Sequence, residues 1–232
     1  ARGLEPTPHG HQLYQRARSL LSEADSLLAA FSPREAAKCL RLSVHPALSA
    51  AHVGRFLRQL QDAVPEADLH VVAGTEGADV WLTAQSCASA TVPFWPLWSE
   101  QYMLALPLDH PLVRQSHVSL DDLNGQPFIE RAHCELSQSW QLHLGSRGIQ
   151  PRIKAHANSE EWALELVASG LGLTVIPAGS GRRRPDVVFR DDVPELSTAR
   201  RVIGASLLND AAASVMRPLL GPGAVPATPE HV

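Results

Sequence analysis

No stretch of this 232-residue chain approaches the roughly 20 consecutive apolar residues that a membrane-spanning helix needs. The opening ARGLEPTPHGHQ lacks the apolar centre of a secretory signal, so a cytoplasmic chain is expected. Cysteine is scarce: 3 residues, at positions 39, 87 and 134, are spaced for neither a disulfide framework nor a zinc motif. Positive charge is not in excess either. Lys and Arg number 20 against 24 Asp and Glu, a net charge of −4, which argues against a nucleic-acid surface spread over these residues. There is no G-x-S-x-G elbow, no phosphate-binding glycine loop and no H-E-x-x-H, and the 11 histidines are scattered without ligand spacing. Only the adjacent His133 and Cys134 are left for catalysis, and sequence neighbours rarely make a nucleophile–base pair. No enzyme, no metal and no cofactor are therefore expected.

What is present is a globular composition, 44% apolar with 19% charged residues, in a chain long enough for one large or two modest cored domains. The most informative stretch is SEEWALELVASGLGLTVIP, residues 159–177. Ala163, Leu166 and Val167 repeat as one face of a helix, with a capping-box-like start at Asn158 and Glu161. Gly170 ends the helix, and Thr174 to Ile176 form a short apolar strand stopped by Pro177. A strand end carrying Val175 and Ile176 then faces a cleft.

Ahead of it, Pro8 to Phe31 reads as one amphipathic helix. Leu13, Ala17, Leu20, Leu21, Leu27 and Leu28 fall at spacings of three and four, a stripe suited to pairing two subunits. Leu40 to Val44 and Leu69 to Ala73 read as strands, with a helix from Ala47 to Ala63 between them. Its N-terminus offers free N–H groups and a positive dipole end beside His45, Ala47 and Ser49, a natural seat for a carboxylate. The plainer alternative is that Ser49 caps the helix and His45 is solvated. Further strands are expected over 101–106, 127–130, 153–157, 187–189 and 201–206, with helices from about 135 to 144 and from Asp210 to Leu220. The run Arg182 to Arg184 reads as a solvated loop, and the last dozen residues as a tail.

Three segments carry a resemblance. VASGLGLTVIP closely resembles the VAxGxGxxxxP segment late in the effector-binding domain of LysR-type transcriptional regulators. RGLEPTPHGHQLYQRARSLL is similar to the end of that family's winged helix-turn-helix and its dimerising linker helix: Thr7, Pro8 and Gly10 match, whereas Pro6 stands where Leu is usual. Pro107 with His110-Pro111-Leu112 matches a third frequent pattern.

The resemblance implies an α/β fold of two Rossmann-like subdomains joined by two crossover strands, periplasmic-binding-protein type II-like, behind the linker helix. It divides the chain into 1–33 (end of the winged-helix region and linker), 38–97 plus 191–232 (subdomain I) and 98–190 (subdomain II). A small effector would bind between the subdomains, contacting His45, Ala47, Ser49, Thr83, Arg131, His133, Cys134, Val175 and Ile176; the histidines and Arg131 point to an anion. The implied partners are a homodimer or homotetramer and DNA, reached through a winged helix-turn-helix absent from this chain, with no membrane. Cys134, beside His133 at a helix start, is similar to the peroxide-sensing cysteine of OxyR-type members. No second cysteine follows it, and His143 stands where a resolving thiol would be, so a disulfide switch within this subdomain is unsupported. Thiol-based redox sensing through Cys134 by another route and a free-standing solute-binding protein remain the alternatives.

One segment departs from the pattern. Only Thr75 to Ala78 lie between Gly74 and Asp79, where the family has a helix of about three turns. A parallel crossover needs roughly a dozen residues. Either a hairpin rewires the sheet or residues are absent, and the fit of Ala78 to Leu82 to the family's third strand favours the latter.

Overall fold

Leu40 and Leu42 sit two apart on a strand and are both buried, so one side of that strand must carry a core. The strand is β1, Lys38–Val44, in a computed structural model. The structure describes residues 38–179 and 184–220, Ala227, and positions 7, 9, 10, 12–14, 16, 17, 20, 21 and 24 of the leading segment. After β1 come α1 (Ala50–Ala63), β2 (Ala67–Val72), β3 (Val80–Ala84), β4 (Phe94–Pro107) and β5 (Pro127–Arg131). Then follow α2 (Ser137–Ser146), β6 (Arg152–Ala157), α3 (Glu160–Ala168), β7 (Thr174–Pro177), β8 (Val187–Arg190), α4 (Pro194–Thr198), β9 (Arg200–Leu207) and α5 (Asp210–Leu220).

Among the described residues seven strands form one sheet in the order β2-β1-β3-β9-β4-β7, with β8 also on β4, and β5 and β6 pair separately. β4 and β9 hold the two ends together. β4 pairs β9 along 94–101 and then β7 and β8 along 102–107. The strand expected over 101–106 is thus the second half of one strand of 14 residues, its register shifting between Pro96 and Trp98. Proline has no N–H to give the ladder, so an irregularity at this point is expected.

One apolar cluster joins α1 and α5 to the sheet through Leu42, Phe56, Leu60, Leu82, Ile203 and Met216. Two others lie past it, one around Leu104, Leu120 and Leu173 and one around Ile129, Ala163 and Ile176. Val193 and Leu196 of the α4 region belong to the cluster around Leu104.

The short connection between β2 and β3 is neither a hairpin nor a full crossover. β1 is parallel to both β2 and β3. Ser43 pairs with Val72, the last residue of β2, and Leu42 with Val80, the first of β3, so β3 starts level with the end of β2. The chain need only step sideways past β1, roughly 10 Å at ordinary strand spacing, and never runs back along it. Residues 73–79 manage this with two turns in left-handed backbone, Gly74 at φ 72° and Gly77 at φ 71°. The dozen-residue rule fails here because it assumes strands that overlap along their length.

Two helix starts also differ from the sequence reading. α1 begins at Ala50, behind Ser49, and α3 is capped by the Ser159 hydroxyl accepting from Trp162 N at 3.2 Å, not by Asn158. In the leading segment the described positions from 9 to 24 are helical, with Leu13, Leu20 and Leu21 exposed; Leu27 and Leu28 lie outside the described residues. Arg182 and Arg183 lie outside them as well, whereas Arg184 pairs with Glu165 and Asp186.

Candidate functional site

Strand alternation puts Arg201 in phase with Ile203 and Ala205 of β9, both buried in the first cluster, so a guanidinium is carried indoors. Its side chain is 3% exposed, and a buried charge is tolerable only when its donors are used. Nε donates to Glu100 Oε2 at 2.6 Å, and Nη2 to Glu160 Oε1 at 2.7 Å. Nη1 donates to the Ala47 carbonyl at 2.9 Å and to Glu135 Oε1 at 3.0 Å. One side chain therefore ties together β4, the turn before α1, the loop after β5 and the first residue of α3. Burial alone would lower the Arg201 pKa, but Glu160, Glu135 and Glu100 outweigh it and hold the group above its ordinary value.

The surrounding groups extend this centre. Glu100 also accepts from Trp98 Nε1 at 3.1 Å and contacts His52 Nδ1, and the Tyr102 hydroxyl donates to Glu135. Arg131, also buried, lies 3.4 Å from Glu160, donates from Nε to the Val175 carbonyl at 2.9 Å and from Nη2 to Cys134 Sγ at 2.8 Å. Three carboxylates face two guanidiniums. Burial would raise the Glu135 carboxyl, but Arg201, the Tyr102 hydroxyl and Arg131 overcome it and hold the pKa below the usual carboxylate range. Glu135 Oε2 is buried with no hydrogen-bond partner among the described residues.

Beside this network Pro46 and Ala47 face Arg131 to Cys134 and Ser159 across a hollow of about 10 Å³, room for about one water. A second hollow of about 30 Å³ lies among Phe128, Arg131, Cys134, Trp140 and Val175. The His45 ring accepts at Nδ1 from Ala47 N at 3.2 Å and stands edge-on to His133, ring centroids 6.3 Å apart. Burial pushes the His45 pKa down, with His133 and Arg201 adding to the effect against Glu135. Among the described residues His133 is the one non-glycine in left-handed backbone, φ 61°, a strain met at ligand-contacting loops. The seat at the start of α1 is taken: Ala50 N donates to Glu161 Oε1 at 2.8 Å.

The profile of the family described as LysR substrate binding domain matches residues 33–214. The chain belongs to that family. The HTH-type transcriptional regulator CysL of Bacillus subtilis is 25% identical over 199 residues, 80% of this chain and 66% of CysL, so the chain spans slightly under two thirds of that relative. The CcmR regulatory domain of Synechocystis PCC6803, solved in complex with 2-PG, aligns at TM-score 0.64 and 19% identity, covering 78% of this chain and 95% of that one. CbnR, a LysR family transcriptional regulator, aligns at TM-score 0.70 and 17% identity, over 92% of this chain and 80% of its own. These likenesses show the fold: the α/β architecture of LysR regulatory domains, periplasmic-binding-protein type II-like. No helix among the described residues is long and apolar enough to cross a membrane.

Within this LysR-type domain the sequence-derived residues divide. Ala47, Arg131, His133 and Cys134 line the smaller hollow, with His45 against His133; Val175 lines the larger. Thr83 and Ile176 line neither. Thr83 is fully buried on β3 opposite Gly204, and the Ile176 side chain is in the core with Met103 and Ile129. Ser49 is buried at the N-cap without a side-chain bond to the helix. Cys134 is not activated: burial pushes its thiol up, and Arg131, which pulls it down, does not compensate. The residues missed were Arg201, Glu100, Glu135, Glu160, Glu161 and Tyr102. A signal existed for one of them, since Arg201 shares the inward phase of β9 with the apolar Ile203 and Ala205.

Proposed function

We propose that this domain is the ligand-sensing part of a LysR-type DNA-binding transcriptional regulator. It binds a small, anionic molecule between residues 45–50 and 131–134. The observation that carries the reading is the reach of Arg201, whose bonds to Ala47, Glu100, Glu135 and Glu160 hold both sides of the cleft at once. A ligand that binds better with some of these bonds broken shifts the domain between two arrangements, which is what a sensor requires. Of the division expected from the sequence, 38–97 plus 191–232 and 98–190, we move 191–199 into subdomain II because Val193 and Leu196 pack with Leu104, leaving 38–97 with 200–220 as the described part of subdomain I. The exposed leucines of the leading helix pair two subunits, which carry winged helix-turn-helix domains lying outside this chain. The 2-PG complex of the CcmR domain supports a small-molecule ligand. CysL and CbnR, regulators by name, support a role other than catalysis.

Calorimetric titration with a panel of small carboxylates, 2-PG included, tests the ligand class. Binding by at least one, lost in Arg131→Ala, is the expected result; a panel that binds nowhere, or binds Arg131→Ala equally, overturns it. Light scattering should give at least a dimer, and a monomer at micromolar concentration refutes the pairing role of the helix.

A further inference from the structure

The step from β2 to β3 has a second consequence. In a doubly wound unit helices cover both faces of the sheet. Here α1 and α5 cover the face of Leu40 and Leu42, while on the other face residues 73–79 supply no helix for β1 and β2. At Cys39, Asp68 and His70 that face is exposed among the described residues. Cys39 pairs directly with Asp68 in the parallel register, and His70 is the next residue on the same face of β2. Their ligand atoms all lie within 4.8 Å of one another, with His70 Nε2 and Asp68 Oδ2 at 3.0 Å.

We propose that Cys39, Asp68 and His70 form a zinc site on the open face of the β1–β2 pair. A thiolate, an imidazole and a carboxylate are the donors zinc takes, at bond lengths of about 2.0 to 2.3 Å, and tetrahedral bonds of that length set donor atoms roughly 3.5 Å apart. Exposed side chains already within 4.8 Å close that gap by rotamer adjustment, without moving the strands. Neighbours at i and i+2 on one strand with a third residue across from the first converge on one point, which an unstructured chain would not supply. The thiolate excludes magnesium and calcium, which take oxygen donors, and favours zinc. Thiolate and carboxylate together neutralise the ion, the thiol proton passing to solvent, and the fourth position stays open to water or to a donor from another molecule. Arg41, hydrogen-bonded to Cys39, swings off the sulfur when the ion enters. The sequence gives no hint of the site, because Cys39 lies on a different strand from the Asp-x-His pair.

Zinc and cobalt titrations of the 232-residue chain test it. One equivalent of cobalt should give a thiolate-to-cobalt charge-transfer band. Cys39→Ser should abolish the band and Cys87→Ser should keep it. Zinc affinity, read by competition with a chromophoric chelator, should fall at least about tenfold in Cys39→Ser, Asp68→Asn and His70→Ala, since loss even of an outer partner costs ten- to a hundredfold. All three side chains are exposed, so the variants should keep the parent's circular dichroism. A cobalt complex with no thiolate band, or zinc binding unchanged in His70→Ala, overturns the proposal.

Discussion

Ala50, the first residue of α1, gives its backbone N–H to a carboxylate oxygen of Glu161 at 2.8 Å, across the cleft. The seat that a helix N-terminus offers an anion is thus held by the domain's own side chain. A ligand carboxylate aimed there has to displace it. Glu161→Gln keeps the shape and removes the charge, so small carboxylates should bind several-fold more tightly while the domain loses about 0.5 to 1 kcal/mol of stability. Calorimetry and urea unfolding read the two effects. Affinity that falls in the variant would place the ligand elsewhere.

Arg201 supports a stronger prediction. Its removal leaves Glu100, Glu135 and Glu160 buried without their common cation. Breaking a buried pair from one side costs about 3 to 5 kcal/mol, so Arg201→Ala should lower the urea midpoint accordingly. Arg201→Lys, with a point charge in place of a fork, should recover only part of the loss. An alanine variant within 1 kcal/mol of the parent would mean that the network contributes little.

Glu135 and His45 set opposite ends of the acid limb of stability. The Glu135 carboxyl is held below its ordinary value of 4.5, so it favours the folded state fully above that pH and loses the contribution as pH falls through its lower folded value. His45 is depressed below 6.5, so it is neutral when folded and takes up a proton on unfolding; this erodes stability as pH falls below 6.5. Unfolding free energies measured from pH 7.5 down to 3.5 should decline in both windows. His45→Gln should flatten the upper one, and Glu135→Gln the lower. A curve unchanged in both variants would refute the assignment.

The alternation and spacing of apolar residues were enough to locate most strands and helices, because burial of one face imposes period two or 3.6 on any sequence. The Ser159 to Pro177 unit and the final helix lie where those periods put them, with Ser159 in place of Asn158 as the cap. The cleft was half legible. Ala47, Arg131 and Cys134 meet because strand ends and helix starts converge at one edge of the sheet, a consequence of topology. Arg201 carried a faint signal in its phase with Ile203 and Ala205, but Glu100 and Glu160 were not legible, since nothing local distinguishes a charged residue destined for a shared buried site from one destined for solvent. The β2–β3 step was misjudged for the same reason: strand stagger is a tertiary quantity.

Gly172 is a case where the motif has a plain mechanical cause. Its backbone is not left-handed; instead an added Cβ would stand 2.6 Å from the Pro127 carbonyl oxygen. At that place Leu173 N donates to Pro127 O at 2.9 Å and Ile129 N to Leu173 O at 2.8 Å, zipping β5 to the approach of β7. Gly172→Ala must push these backbones apart, at a cost of about 1 to 3 kcal/mol. Hydrogen exchange should localise the loss to the Ile129 and Leu173 amides. Full protection there in the alanine variant would show that the close approach is dispensable.

Cys134 decides whether a redox role is open to this domain. Its thiol is half-buried, and burial raises its pKa; the Arg131 guanidinium, 2.8 Å from Sγ, pulls the other way without cancelling the rise, and Glu135 adds to it. Only the thiolate attacks peroxide or an alkylating agent, so at neutral pH Cys134 should react more slowly than an unperturbed cysteine. Its iodoacetamide rate should still be climbing with pH at the ordinary cysteine value of 9.0, where an unperturbed thiol begins to level off, and Arg131→Ala should move the levelling higher still. Exposed Cys39 should be labelled first. Mass spectrometry of the three cysteine peptides after timed alkylation at pH 7 and pH 9.5, with a dimedone trap after one equivalent of peroxide, reads all of this. Cys134 labelled ahead of Cys39 at pH 7, or a sulfenate trapped on it at one equivalent, would restore the peroxide-sensing alternative.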